Sequence, residues 1–417
     1  MKIINLRREK GLHGRRVAAT VQWEDSQRPS MELYYETEGL FADDLICNPH
    51  AFLIACCMPA LYHGEERIFI DAAVSPEVKE GLGAAMRWIR HWRYGERRRL
   101  AIIEAAGEAL PATHGPRRAG MFFSGGIDSL GALRENRFVY PPEHPWSIRD
   151  GLLVCGLETE DLEKFDHVKE SISGLGKTAG ITLIPVYTNV RQLDTDWMFW
   201  EHAFHDAVFA AIAHAFSRRL NIVSIASTYD IPNIKPYGTH PLLDTCYSSH
   251  EVLIRHDGLC LTRLEKTKLV ADWDGVLAKV RVCNRSDHYE HSRLNCGICN
   301  KCVRTMLALE TLGALDTATS FPASPLTREM VADAVDIYDT TVCFFEELIA
   351  PLKKRGRHDL AQVIEEKIAA YQERRERRCV RHVLSNTLRA KVKRFDRRYL
   401  NGRLKRMLTH GGEVSQS

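Results

Sequence analysis

The stretch Phe122-Phe123-Ser124-Gly125-Gly126-Ile127-Asp128-Ser129 decides the fold. The run Arg118-Ala119-Gly120-Met121-Phe122-Phe123 leads into it as a short strand, and a helix begins near Ser129. The first turn of a helix leaves N–H groups without partners, and the helix dipole favours an anion there. Gly125 and Gly126 let the backbone approach a pyrophosphate with no Cβ in the way. Ser124 and Ser129 add hydroxyl donors for phosphate oxygens. Asp128 would repel a bare phosphate, so its carboxylate is read as holding loop geometry or a Mg²⁺ ion. Ser124, Gly125, Gly126, Ile127, Asp128 and Ser129 are therefore the candidate nucleotide-binding positions, with catalytic roles for Ser124, Asp128 and Ser129. No Gly-Lys-Ser or Gly-Lys-Thr follows the glycines, so this is not a Walker A loop.

Outward from the loop, apolar strands alternate with amphipathic helices. Gly151–Gly156, Ile181–Tyr187 and Asn221–Ala226 read as strands, and Leu162–Ala179 and His202–Arg219 as helices. That alternation predicts an α/β fold with a doubly wound, buried parallel sheet over residues 113–325. Residues 1–112 read as a separate α+β domain, with strands at Arg16–Val21, Met31–Tyr35 and Arg67–Asp71. Its helices are Pro49–Leu61 and Pro76–Trp92, and Ser75 precedes Pro76 as an N-cap would. Pro111–Arg118 is a polar, Gly/Pro-punctuated linker. Residues 326–417 read as a helical, basic C-terminal extension, with helices at Val331–Leu352 and His358–Arg374.

The chain has 417 residues, too many for one ordinary core. With 45% hydrophobic and 27% charged residues it has a globular rather than a disordered composition. No apolar run is long enough to span a bilayer. The N-terminal Met-Lys-Ile-Ile-Asn-Leu-Arg-Arg has no apolar signal core, so a cytoplasmic location is expected. A net charge of +3 hides an uneven distribution. Acidic residues gather at Glu158, Glu160, Asp161, Glu163 and Asp166, whereas Lys and Arg dominate from Arg374 to Arg406. Such a tail suits a solvated helix, or else a tRNA or partner-protein contact.

In a reducing compartment the 12 cysteines point to metal or catalysis before disulfides. Cys296-Gly297-Ile298-Cys299-Asn300-Lys301-Cys302 places three thiols on a tight turn, and Cys283 upstream completes a four-sulfur site. Structural Zn²⁺ is the leading candidate; an iron–sulfur cluster uses the same ligand set. Cys47, Cys56, Cys57, Cys155 and Cys343 lie in apolar surroundings and read as packing residues.

Ser-Gly-Gly-x-Asp-Ser after an apolar strand resembles the PP-loop of the ATP pyrophosphatase (adenine nucleotide α-hydrolase-like) superfamily. With Cys283…Cys296-Gly297-Ile298-Cys299-Asn300-Lys301-Cys302-Val303-Arg304, it resembles the 7-cyano-7-deazaguanine synthase branch over residues 118 to 310. Arg304 stands one position earlier than the basic residue of that branch, and the Cys283–Cys296 interval is longer. The resemblance implies cleavage of ATP to AMP and pyrophosphate with Mg²⁺, and activation of a small-molecule carboxylate as its adenylate. Ammonia or an amine then displaces AMP. No glutaminase signature is present, so free ammonia or an amine from a partner is implied. A tRNA-thiolating enzyme and a non-catalytic nucleotide-binding assembly module are the alternatives.

Three further readings concern the pocket. Lys266, near the start of a helix, reads as a charge that neutralises departing pyrophosphate, and a solvated helix face explains it nearly as well. Asp230, His240 and Asp244, in the polar loop after Ala226, are candidate substrate contacts, and turn-forming roles explain them equally well. His202 and His205 lack the H-E-x-x-H arrangement and read as pocket-wall or packing residues.

Overall fold

The computed structural model describes residues 1–109, 118–157, 161–283, 294–323 and 325–399. The linker 111–117, Glu158, Glu160 and the end of the basic tail lie outside them. The chain divides into two compact units, Met1–Leu326 and Thr327–Ser417. In the first, strands β1 (Lys2–Lys10), β2 (Gly14–Gln22), β3 (Met31–Glu38), β4 (Arg67–Val74) and β5 (Ile102–Glu108) precede the linker. Strands β6 (Ala119–Phe122), β7 (Ile148–Cys155), β8 (Thr182–Thr188), β9 (Ile222–Ala226) and β10 (Leu253–Asp257) follow it. They join one ten-stranded sheet in the order β10-β9-β6-β7-β8-β3-β2-β1-β4-β5.

The block β10-β9-β6-β7-β8 is parallel throughout. β7 and β8 lie on one side of β6, and β9 and β10 on the other, so the chain reverses its direction of progress at β6. That is a doubly wound arrangement with its switch point between β6 and β9.

Residues 1–112, expected as a domain of their own, extend this sheet instead. β3 runs antiparallel to β8 with Tyr35, Glu36 and Thr37 opposite Thr188, Tyr187 and Val186. Side chains lengthen this short seam. The Thr37 hydroxyl donates to Pro185 O at 2.6 Å, and Thr188 Oγ1 donates to Tyr34 O at 2.7 Å. Asn189 Oδ1 accepts Tyr34 N–H at 3.0 Å and Nδ2 donates to Glu32 O at 2.7 Å. Thr37 thus uses the carbonyl of Pro185, a residue with no N–H of its own to give the ladder.

Helices α1 (Pro49–His63), α2 (Pro76–Ile89), α3 (Ile127–Val139), α4 (Leu162–Ala179), α5 (His205–Ala215), α6 (Arg263–Ala271) and α7 (Asn300–Leu312) flank the strands. α1 is apolar on every side and buried nearly throughout, and it packs against α5. Asn48 caps it by accepting His50 N–H at 3.0 Å, and Gly64 closes it at φ 79°. The expected helix from His202 begins with a π-turn, Trp200–Phe204, and the Pro76 helix ends in another, Arg90–Tyr94.

The second unit contains α8 (Arg328–Ala334), α9 (Val342–Lys354) and α10 (His358–Tyr399). The sequence suggested one helix over Val331–Leu352. It breaks between α8 and α9, where Tyr338 N–H donates to Thr341 Oγ1 at 3.1 Å, a local bond that competes with the helix.

Two buried imidazoles face each other, His50 from α1 and His214 from α5, with ring centres 5.6 Å apart. His50 Nε2 accepts Ser75 N–H at 3.0 Å, and His214 donates to Tyr247 O at 2.8 Å. Burial lowers the pKa of His50 to about 4 and that of His214 to about 3, the latter helped by its neighbour His50. Both rings therefore stay neutral in the folded chain at pH values where the unfolded chain protonates them. Their contribution to stability is complete above about pH 6.5 and is lost as pH falls toward 3. At about 1.4 kcal/mol per pKa unit, each ring accounts for roughly 3–5 kcal/mol of acid destabilisation. Urea unfolding measured across this range should show stability falling with acid, with a shallower slope in His214→Gln. An unchanged slope in that variant would mean that His214 is not the acid-sensitive group.

Candidate functional site

The loop between β6 and α3 stands beyond the carboxyl end of β6, at the switch point where β6 is flanked by β7 and β9. Gly125 adopts φ 75°, a conformation that an L side chain resists. A Cβ there would press on Leu175 at 3.2 Å and Ile172 at 3.3 Å, both from α4. Gly126 is the extended N-cap of α3, with no side-chain cap bond among the described residues. The N–H groups of Ile127, Asp128 and Ser129 are therefore the open donors of the first turn. Ser129 Oγ donates to Gly126 O at 3.0 Å and stands 3.5 Å from Ser124 Oγ, so both hydroxyls belong to one loop.

Two cations converge on this loop from α6. Arg263 Nη1 lies 2.8 Å from each oxygen of Asp128. Lys266 is fully buried, and its Nζ donates to Ser227 O at 2.8 Å, just past β9. Burial lowers its pKa; Asp128 and Asp230 pull the other way, while Arg263 adds to the lowering. Gly131 makes this approach possible, because a Cβ on it would sit 2.9 Å from the Lys266 Cβ. Asp128 and Lys266, both candidates from the sequence, thus lie close enough to interact electrostatically. Arg263 was missed as a partner of Asp128, although its place three residues before Lys266 puts both on one helix face.

The cysteines form the second part. The sulfur atoms of Cys283, Cys296, Cys299 and Cys302 all lie within 4.8 Å of one another. Cys283 and Cys299 are 3.9 Å apart, and Cys296 and Cys302 3.8 Å. Four sulfurs held at about 2.3 Å from one tetrahedral ion stand about 3.8 Å apart, so the set can hold a metal ion such as zinc. Without a cation the thiols share protons: the bond with Cys283 raises Cys299 to about 11, and Cys302 is raised by Cys283 and Cys299. Gly297, at φ 75° and packed on Pro322, makes the knuckle turn, and Cys299 is the N-cap of α7.

A buried amide fastens this module together. Asn295 Oδ1 accepts the N–H groups of Val282 and Cys283 at 2.8 and 3.3 Å. Its Nδ2 donates to Val280 O at 2.8 Å and Ser320 O at 3.0 Å. From the same segment, Arg281 N–H donates to Gly125 O at 2.9 Å. The cysteine module therefore braces the glycine loop directly.

The other candidates sit differently. Asp230 opens a short turn, accepting Asn233 Nδ2 at 2.7 Å. Asp244 is fully buried; it accepts His240 N–H at 3.0 Å and meets His256 Nδ1 at 2.7 Å. His240 accepts Leu242 N–H at 3.1 Å through Nδ1. Asp244 and His240 are thus committed to internal bonds that shape the loop after β9, while Asp230 keeps an electrostatic link to Lys266. His205 donates to Trp200 O at 3.0 Å, and His202 Nδ1 meets Arg93 Nη2 at 3.0 Å. The Arg93–His202 contact joins the two π-turns, and Arg93 also donates to Pro236 O in the loop after β9.

Comparison with protein-family models, curated proteins and solved structures gives no match to this chain. Among the described residues no helix is long and apolar enough to cross a membrane.

The brace can be tested by removing metal. A chelator, or Cys299→Ser, should release about one ion per chain and speed amide exchange at Arg281, whose N–H bonds Gly125 O. Loss of the ion with undiminished protection at Arg281 would show that the loop does not lean on the module.

Proposed function

We propose that this chain is an AMP-forming, ATP-dependent ligase of the PP-loop type, similar to 7-cyano-7-deazaguanine synthase, that activates a small-molecule carboxylate for attack by ammonia or an amine. The observation that carries the reading is the convergence of Lys266 and the Arg263–Asp128 pair on an uncapped glycine loop at the switch point. A loop that presents backbone N–H groups, two hydroxyls and two nearby cations suits a polyphosphate better than it suits any neutral ligand.

In this reading the first-turn N–H groups and the hydroxyls of Ser124 and Ser129 hold the phosphates. A carboxylate oxygen of the acceptor attacks the α-phosphorus, and the bond to the pyrophosphate oxygen breaks. Lys266 stabilises the charge that develops on that leaving group. Asp128, paired with Arg263 here, is the carboxylate that would hold Mg²⁺, and the ion would neutralise phosphate charge. The amine nitrogen then attacks the acyl carbon, AMP departs with the bonding electron pair, and the nitrogen gives its proton to solvent. The cysteine module takes a structural role. Four sulfurs packed this tightly enclose one ion rather than four irons with their sulfides, which favours Zn²⁺ over an iron–sulfur cluster and ligation over cluster-based thiolation.

Mass spectrometry of the chain incubated with ATP, Mg²⁺, ammonium and 7-carboxy-7-deazaguanine tests this reading. AMP with an amide or nitrile product is expected, and Lys266→Met should lower kcat for AMP formation by about 10²-fold. AMP without a deazaguanine product would keep the adenylation and replace the acceptor. ADP in place of AMP, or a full rate in Lys266→Met, would overturn the mechanism.

A further inference from the structure

The run Arg87-Trp88-Ile89-Arg90-His91-Trp92-Arg93-Tyr94-Gly95-Glu96-Arg97-Arg98-Arg99 closes α2 and leads toward β5. It carries six arginines and a histidine against one acid, Glu96, with Trp88, Trp92 and Tyr94 set among them. Like charges this dense repel one another, so each needs a partner or a use.

Three of the arginines are engaged within the fold. Arg90 bends the chain back on the helix: its Nε donates to Gly95 O at 3.2 Å, and its Nη2 meets both oxygens of Glu96 at 3.1 Å. Arg93 donates to Pro236 O and meets His202 Nδ1, which ties the π-turn to the loop after β9. Arg98 reaches the end of α1, where a Cβ on Gly64 would lie 3.5 Å from its Nη1, and a cation there suits the helix dipole.

The other cations face outward. His91, Arg97 and Arg99 are exposed, and among the described residues none of them makes a hydrogen bond or an ion pair. Arg87 meets only Glu80, at 3.2 Å on an open surface where such a pair holds little. Arg98 is extended, at φ −122° and ψ 133°, so Arg97 and Arg99 leave the chain on the same side. Two residues of extended backbone set them roughly 7 Å apart, close to the spacing of successive phosphates along an unpaired strand.

Flat rings lie beside these charges. Trp88 and Trp92, four residues apart, have ring centres 5.6 Å apart at 33°, and the His240 ring continues the row 4.9 Å from Trp92. Trp88 leaves 37% of its surface open, and Leu242, two residues past His240, leaves 51%. Charges that serve solvation alone need no rings among them. A row of rings bordered by open guanidinium groups suits an unpaired nucleic acid strand, whose bases stack on the rings while its phosphates meet the cations. An acidic peptide would need the cations only.

We propose that this surface, from Arg87 to Arg99 with His240 and Leu242, binds single-stranded nucleic acid. A base stacks on the open face of Trp88, and neighbouring phosphates meet Arg97 and Arg99. The surface belongs to the first unit, uses no residue of the basic tail and does not depend on the adenylation reading.

Fluorescence anisotropy of the full chain with end-labelled dodecamers, at several KCl concentrations, tests it. The probes are oligouridylate, oligothymidylate, a strand of abasic deoxyribose phosphates and, as an acidic peptide, oligoglutamate. Saturable binding of one or both nucleic acids is expected, and the tighter of the two tells RNA from DNA. The abasic strand and the peptide should bind roughly tenfold more weakly. Trp88→Ala should weaken oligonucleotide binding about tenfold and leave the slope of log K against log[KCl] unchanged. Arg97→Gln combined with Arg99→Gln should flatten that slope by about 1.4, the share of two phosphates on a single strand. All three side chains are exposed, so each variant should keep the urea midpoint of the unaltered chain. No saturable binding, equal binding of the abasic strand or of the peptide, or an affinity unchanged in both variants, as binding through the basic tail would give, would overturn the assignment.

Discussion

A turn built from glycine has no side chain with which to hold itself, so the loop between β6 and α3 must be held by its neighbours. Gly125 costs conformational entropy and contributes no packing of its own. What fixes it comes from outside: Leu175 and Ile172 press up from α4, and Arg281 N–H bonds its carbonyl. The rest of the site follows from that requirement. Arg281 belongs to the segment that Asn295 ties to the cysteine knuckle. Lys266 reaches the loop only because Gly131 lets α6 pack against α3. The cysteine module, the cationic helix and the glycine turn are therefore one mechanical unit, although they are far apart in sequence.

The N-terminal strands matter for a related reason. A parallel sheet exposes the donors and acceptors of its outer strands unless something pairs with them. At the β8 side β3 does so, through a short ladder extended by Thr37, Thr188 and Asn189. Once β3 is there, the turn between β1 and β2 is carried to the β8 edge, and His13, Arg16 and Glu36 arrive beside Tyr187. A segment without a catalytic motif thereby contributes walls to a cleft.

Local patterns were legible in the sequence, and contacts between distant segments were not. The glycine loop, the cysteine spacing and most strands of the parallel block could be read because each depends on residues within one turn or one strand. Leu162–Ala179 is a helix over that span, with Asp161 as its N-cap and Gly180 as its close. β1 escaped notice because Lys-Ile-Ile-Asn-Leu-Arg-Arg-Glu-Lys is charged enough to resemble a solvated terminus. β5 was hidden by its alanines, glycine and glutamates, which have weak strand preference. Asp244 and His240 had the composition of a substrate loop, but burial turned Asp244 inward toward His256, a partner that composition alone does not reveal. The single sheet was illegible for the same reason, since the β3–β8 seam joins residues some 150 positions apart.

Under the proposed function this loop, at the switch point between β6 and β9, receives the phosphates of a nucleotide. The most direct measurement is a crystal structure of the chain with α,β-methylene-ATP and Mg²⁺. Phosphate oxygens are expected within hydrogen-bond reach of the N–H groups of Ile127, Asp128 and Ser129, with the Lys266 ammonium turned toward the β-phosphate. Nucleotide bound away from the loop, or a loop left empty at saturating nucleotide, would contradict it.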